Sequence, residues 1–157
     1  MEHISNRALI SRLYSSADHQ LQNTEYDIEN WSQWYQAVQD LTRPEKVVYV
    51  IVKLNQTVTN GGFIEFYEAS FGVFAPEIIH VLNEINAAKT AEIVSNSLPI
   101  VNPARLLDDA YKAVIFKPKF SQQQRAELYA QDIQYDQLQD AENLEDLLGA
   151  YLQDMIK

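Results

Sequence analysis

Apolar residues along this chain recur at three- and four-residue intervals from one end to the other, the spacing that builds one stripe of an α-helix. Residues 25–41 place Ile28, Trp31, Trp34, Tyr35, Val38 and Leu41 on one such stripe, with Gln, Asn, Asp and Glu elsewhere. Thr42-Arg43-Pro44-Glu45 then combines an N-cap hydroxyl, a first-turn proline and a glutamate at N3, which together form a capping box and predict a helix start. The run Val47–Val52 has strand-like composition, but Val47, Ile51, Leu54 and Val58 carry the helical period beyond strand length. It reads as a central, nearly fully buried helix. Asn60-Gly61-Gly62 tolerates positive φ and predicts a helix stop with a sharp turn, followed at once by a short helix.

Phe63, Phe66, Tyr67, Phe71 and Phe74 cluster around Gly72, and packing in a core is the expected use of them. Ala75-Pro76-Glu77 opens a helix with Ile78, Val81, Leu82 and Ile85 on one face, while Asn102-Pro103 reads as N-cap and N1 of another. That helix would carry Leu106, Leu107, Ala110, Tyr111, Val114 and Ile115. Ser121 is placed to cap a helix whose apolar residues are Leu128, Tyr129 and Ile133. Asn143, with Asp146 at N3, starts an amphipathic C-terminal helix bearing Leu144, Leu147, Leu148, Tyr151, Leu152 and Met155. No alternating strand pattern competes, and the prolines at 99–103 and 117–119 read as loops. The expectation is all-α: a compact multi-helix single domain over 1–157, with its most distinctive core at about 40–88 and an acidic helical segment at 122–156.

Composition narrows the chemistry. With 157 residues, 46% hydrophobic, the chain is long enough for a substantial core. The absence of cysteine excludes disulfides, thiolate-ligated zinc, iron–sulfur clusters and a cysteine nucleophile. No apolar run reaches membrane-spanning length, and Met1–Arg7 shows no cationic segment leading into an apolar one, so a cytoplasmic protein without membrane contact is expected.

The net charge of −10 argues against direct nucleic-acid binding and for basic partners. Its distribution is uneven: residues 126–157 hold eight acids against one base, Lys157, and account for −7. A solvated helix face usually interleaves signs, whereas Asp132, Asp136 and Asp140 repeat one sign at i, i+4. On a continuing helix they form a row with steps of about 6 Å. Two phosphate steps along one DNA strand cover about 6.8 Å. Carboxylates so placed can imitate phosphates, although an acidic balance also serves solubility alone.

Other constellations are weaker. Glu77-Ile78-Ile79-His80 has the Glu-x-x-His spacing of carboxylate-bridged metal bundles, but neither His3 nor His19 supplies the second copy. Asn60-Gly61-Gly62 lacks the lysine of a phosphate-binding loop, and no nucleophile elbow is present. Trp31, Trp34 and Tyr35 follow the apolar stripe, which favours burial over a partner groove. No cofactor, metal or catalytic set is expected.

The stretch from Glu45 to Tyr49 through Asn60-Gly61-Gly62-Phe63-Ile64-Glu65-Phe66-Tyr67, with Ser70 and Gly72, resembles a bacterial domain family of mostly unknown function named after a double-stranded-DNA-mimic protein. Glu65 stands where glutamine is usual there, and Ala69 where asparagine is usual. The resemblance implies an all-α fold and, for the named member, an acidic surface occupying the DNA-binding face of a transcription factor. Asn60, Gly61, Gly62 and Phe63 read as an architectural turn. The function expected is therefore non-enzymatic: an acidic DNA mimic that blocks a basic DNA-binding protein, either a transcription factor or a nucleoid-type protein. Contacts are expected from Asp132, Asp136, Asp140, Glu142, Glu145 and Asp146, with Asp27, Glu29, Glu65 and Glu68 secondary. A homodimer would lengthen the carboxylate array. Two alternatives are an immunity- or antitoxin-type inhibitor of a basic toxin, anchored by aromatics, and a metal enzyme using Glu77 and His80.

Overall fold

The computed structural model describes residues 4–22, 31–116 and 118–156. Among them are eight α-helices and no strand, as the periodicity predicts: α1 Asn6–Leu21, α2 Trp31–Gln39, α3 Arg43–Glu68, α4 Ala75–Glu84, α5 Ala88–Val101, α6 Asp108–Ile115, α7 Gln122–Leu138 and α8 Leu144–Met155. A 3₁₀ turn, Phe71–Phe74, joins α3 to α4. Of the helix predicted at 25–41, residues 25–30 lie outside the described residues, Asp27 and Glu29 among them.

Helix α3 is the axis, because nearly every side of its first half is apolar. Val47, Val48, Tyr49, Val50, Ile51 and Leu54 are all buried. Helices α1, α4, α7 and α8 pack around it. The capping box forms as predicted: Thr42 Oγ1 accepts from Glu45 N–H at 3.4 Å, and the Glu45 carboxylate accepts from Thr42 N–H at 3.1 Å. Glu45 also accepts from Ser16 Oγ and Gln20 Nε2, tying α1 to the start of α3. Burial raises the cost of ionising Glu45, but those hydrogen bonds outweigh it and hold its carboxyl below the usual range.

The Asn60–Phe63 turn is a kink rather than a full stop. Gly62 sits at φ 80°, ψ −177°, inside an element that is helical on both sides, and the short second half carries Phe63, Phe66 and Tyr67 into the core. The aromatic cluster packs edge to face, with ring centroids 6.3 Å apart for Phe63–Phe66 and 5.0 Å for Phe66–Tyr67. Trp34 is buried edge-on against Phe74, and its indole N–H donates to Tyr49 Oη.

Three sequence expectations are corrected. Asn102 does not start a helix: it is the C-cap of α5, and its side chain clasps Leu106, accepting from the backbone N–H and donating to the C=O at 3.0 Å each. The next helix, α6, begins only at Asp108. Pro99 is not in a loop but in the last turn of α5. In α7, Leu128 and Tyr135 face the core, whereas Tyr129 and Ile133, read as apolar-face residues, are 62% and 44% exposed. Helices α1 and α5 escaped the pattern altogether.

Candidate acidic interface

Three contacts lay α7 antiparallel to α3. Arg125 pairs with Glu68 at 3.0 Å, the Asp132 carboxylate accepts from Phe63 N–H at 2.7 Å, and Tyr135 Oη donates to Asn55 Oδ1 at 2.9 Å. Tyr135 also meets Phe63 edge to face, ring centroids 5.8 Å apart. On its other side α7 reaches α5, where Gln124 Nε2 donates to Ile100 C=O.

This packing separates the acids that the sequence grouped into one row. Asp132 turns inward. The kink at Gly62 leaves Phe63 N–H at the start of a new helical segment, without an acceptor four residues back, and Asp132 caps it from α7. Desolvation pushes the Asp132 carboxyl above its usual range, and the Phe63 N–H only partly offsets that. Asp140 lies beyond the end of α7, so the helical row expected of Asp132, Asp136 and Asp140 does not form. Glu142 is also engaged. It accepts from Lys89 N–H at 3.0 Å and from Thr90 N–H and Oγ1 at 2.9 and 2.8 Å, capping α5, whose own N-cap residue is Ala87.

The remaining candidates stay at the surface. Asp136, Asp140 and Asp146 are exposed around the α7–α8 corner, and none forms an ion pair among the described residues. Asp146 lies in the first turn of α8, where Asn143 caps its N–H at 3.0 Å and the helix dipole favours a carboxylate. Glu145 pairs with the exposed Arg7 at 3.2 Å. Glu68 is held by Arg125, and half-buried Glu65 accepts from Asn60 Nδ2 at 3.0 Å, spanning the kink.

The Glu77–His80 pair does not gather further ligands. Glu77 accepts from Tyr35 Oη and Gln39 Nε2 at 2.9 Å and pairs with Lys46 at 2.8 Å, while His80 is exposed. Among the described residues no three His, Asp or Glu side chains converge as a metal-binding set, and no helix is long and apolar enough to cross a membrane.

Sequence reasoning missed Tyr129 and Ile133 as surface residues. Two apolar registers compete on α7, and the buried one passes through polar Gln131 and Asp132, which disguises it. No curated protein and no solved structure matches the chain. A family model described as DMP19-like protein matches residues 39–155, from the last residue of α2 through α8 and therefore over the kink, the α7 face and the acidic corner together, so the chain belongs to the DMP19-like protein family.

Proposed function

We propose that this protein is a non-enzymatic acidic DNA mimic, which occupies the DNA-binding face of a basic protein such as a transcription factor and excludes DNA from it. The observation that carries the reading is the α7–α8 corner, where Asp136, Asp140 and Asp146 point to solvent without a neutralising cation among the described residues. The bases that do form ion pairs, Arg7, Arg43, Lys46, Lys112 and Arg125, are engaged by other carboxylates. A surface with that imbalance attracts cationic grooves over a Debye length of about 8–10 Å and accelerates encounter. Family membership supports the same reading, because the resemblance ties this domain to a double-stranded-DNA mimic.

The partner surface must be basic, and complex formation must weaken as salt rises. The test titrates the protein into basic DNA-binding regulators from the same genome, each preloaded with a labelled DNA duplex, at low and high salt. Release of the duplex from one of them at low salt, lost at high salt, is expected. If none releases DNA at low salt, the proposal fails.

A further inference from the structure

The outward face of α7 is not purely ionic. Tyr129 and Ile133 stand one turn apart at 62% and 44% exposure, and Asp136 follows one turn further along the same face. One turn before Tyr129, Arg125 is already held by Glu68. Beyond it no base occurs from residue 126 to 156. Two other exposed apolar pairs lie on or next to helices in different surroundings: Leu107 and Val114 have Arg105 and Lys112 close in sequence, with Asp108 and Asp109 alongside, and Met155 and Ile156, at the end of α8, are followed directly by Lys157. Charge complementarity therefore singles out the α7 pair.

A phosphate backbone has no counterpart to a tyrosine ring and a β-branched side chain standing in solvent. A protein that only imitated phosphates would gain nothing from them. Exposed aromatic and aliphatic side chains beside carboxylates are what an interface with apolar anchors and a charged surround requires.

We infer that the α7 face bearing Tyr129, Ile133 and Asp136 docks a basic amphipathic protein segment, in which aliphatic side chains alternate with lysines or arginines on one face of a helix. Resting on the proposed acidic-partner function, this inference deepens it: the carboxylates of the corner attract the segment, and Tyr129 and Ile133 select it from other polycations by burying its aliphatic side chains.

The test uses the full chain and two labelled synthetic peptides of equal length and charge, one a helix with leucines and lysines alternating along one face, the second with every leucine replaced by glutamine. At low salt the leucine peptide is expected to bind about tenfold more tightly, a preference worth about 1.4 kcal/mol. A Tyr129→Ser, Ile133→Ser double variant, whose melting temperature should be unchanged because both sites are exposed, loses that preference and keeps its affinity for the glutamine peptide. Asp136→Asn weakens both peptides alike. A Leu107→Ser, Val114→Ser variant keeps the preference. Equal binding of the two peptides by the wild-type protein overturns the inference while leaving the acidic reading intact. So does a preference that survives the Tyr129/Ile133 change or disappears in the Leu107/Val114 variant. If neither peptide binds at low salt, the acidic reading itself is wrong and the inference falls with it.

Discussion

Replacing Gly62 by alanine tests the contact on which the α7 placement rests. A Cβ at this position would overlap Asp132 Oδ2 and lie 2.8 Å from its Cγ and 3.0 Å from Oδ1, so the carboxylate has to move away. Phe63 N–H then becomes a part-buried donor without an acceptor, which costs about 1–3 kcal/mol. The backbone at φ 80°, ψ −177° is a region that L-residues enter only at a cost of about 1–3 kcal/mol. The sum is about 2–6 kcal/mol, and with each kcal/mol lowering Tm by about 2–4 °C in a chain of this size, a drop of about 4–24 °C is expected by calorimetry. The companion variant Asp132→Ala loses the acceptor but not the backbone conformation. In the double variant the clash is gone and the acceptor loss is counted once, so the two changes together should cost less than the sum of each alone by about 1–3 kcal/mol. A Gly62→Ala protein melting within about 2 °C of wild type, or additivity within about 0.5 kcal/mol, would refute the reasoning. The sign of the Asp132 ionisation supplies a second check. Its carboxyl titrates above the usual range, because desolvation outweighs the Phe63 hydrogen bond. Stability linked to that group is therefore present below its unfolded pKa and lost as pH rises through the folded value. Asparagine keeps the carbonyl acceptor without the desolvated charge, so Asp132→Asn should be at least as stable as wild type at pH 7, with any advantage shrinking on acidification.

Three further outcomes follow from the same separation of inward and outward acids. Glu142→Ala removes every acceptor that Lys89 N–H, Thr90 N–H and Thr90 Oγ1 share, and should lower stability by about 2 kcal/mol in a denaturant titration, whereas Glu142→Gln should lose less. Glu45 is held below the ordinary carboxylate range, so its contribution is present above the unfolded pKa and lost as pH falls through the lower folded one; the stability gap between wild type and Glu45→Gln should be widest near neutrality and close in acid. The triple change Asp136→Asn, Asp140→Asn, Asp146→Asn touches only exposed groups and should leave Tm within about 2 °C while weakening release of DNA from a basic partner.

What the sequence made legible was local. The starts of α3, α7 and α8 are each written in a few consecutive residues, Thr42 to Glu45, Ser121 to Gln124 and Asn143 to Asp146, and each cap forms as read. What it concealed was capping across the fold. Helix α5 begins at a residue without a capping side chain, and its acceptor arrives from Glu142, 52 residues beyond Thr90. The second half of α3 is capped by Asp132, 69 residues beyond Phe63. Asn60-Gly61-Gly62 marks the turn before the second of these starts, but no local side chain supplies the cap of either, and the same two carboxylates looked like surface charge because their partners are distant in the chain. Asn102 failed for a related reason: its side chain folds onto Leu106, delaying the next helix through a loop in which Arg105 adopts positive φ and which ends at Asp108, also at positive φ.

The acidity of the last fifth of the chain is thus divided between two physical jobs. Asp132 and Glu142 satisfy backbone N–H groups where helical segments begin, and a carboxylate so used is not available to imitate a phosphate. Glu145 is partly offset by Arg7. What faces solvent at the corner is Asp136, Asp140 and Asp146, with Asp136 one turn from the exposed Ile133 on α7. A ladder of phosphate-like charges would make binding almost wholly electrostatic, whereas the proposed docking on three outward carboxylates together with Tyr129 and Ile133 would divide it between a salt-sensitive attraction and an apolar contact that salt does not screen. High salt should therefore slow association with the partner without abolishing the selectivity that the apolar pair confers, and that division separates this face from a plain charge replica of DNA.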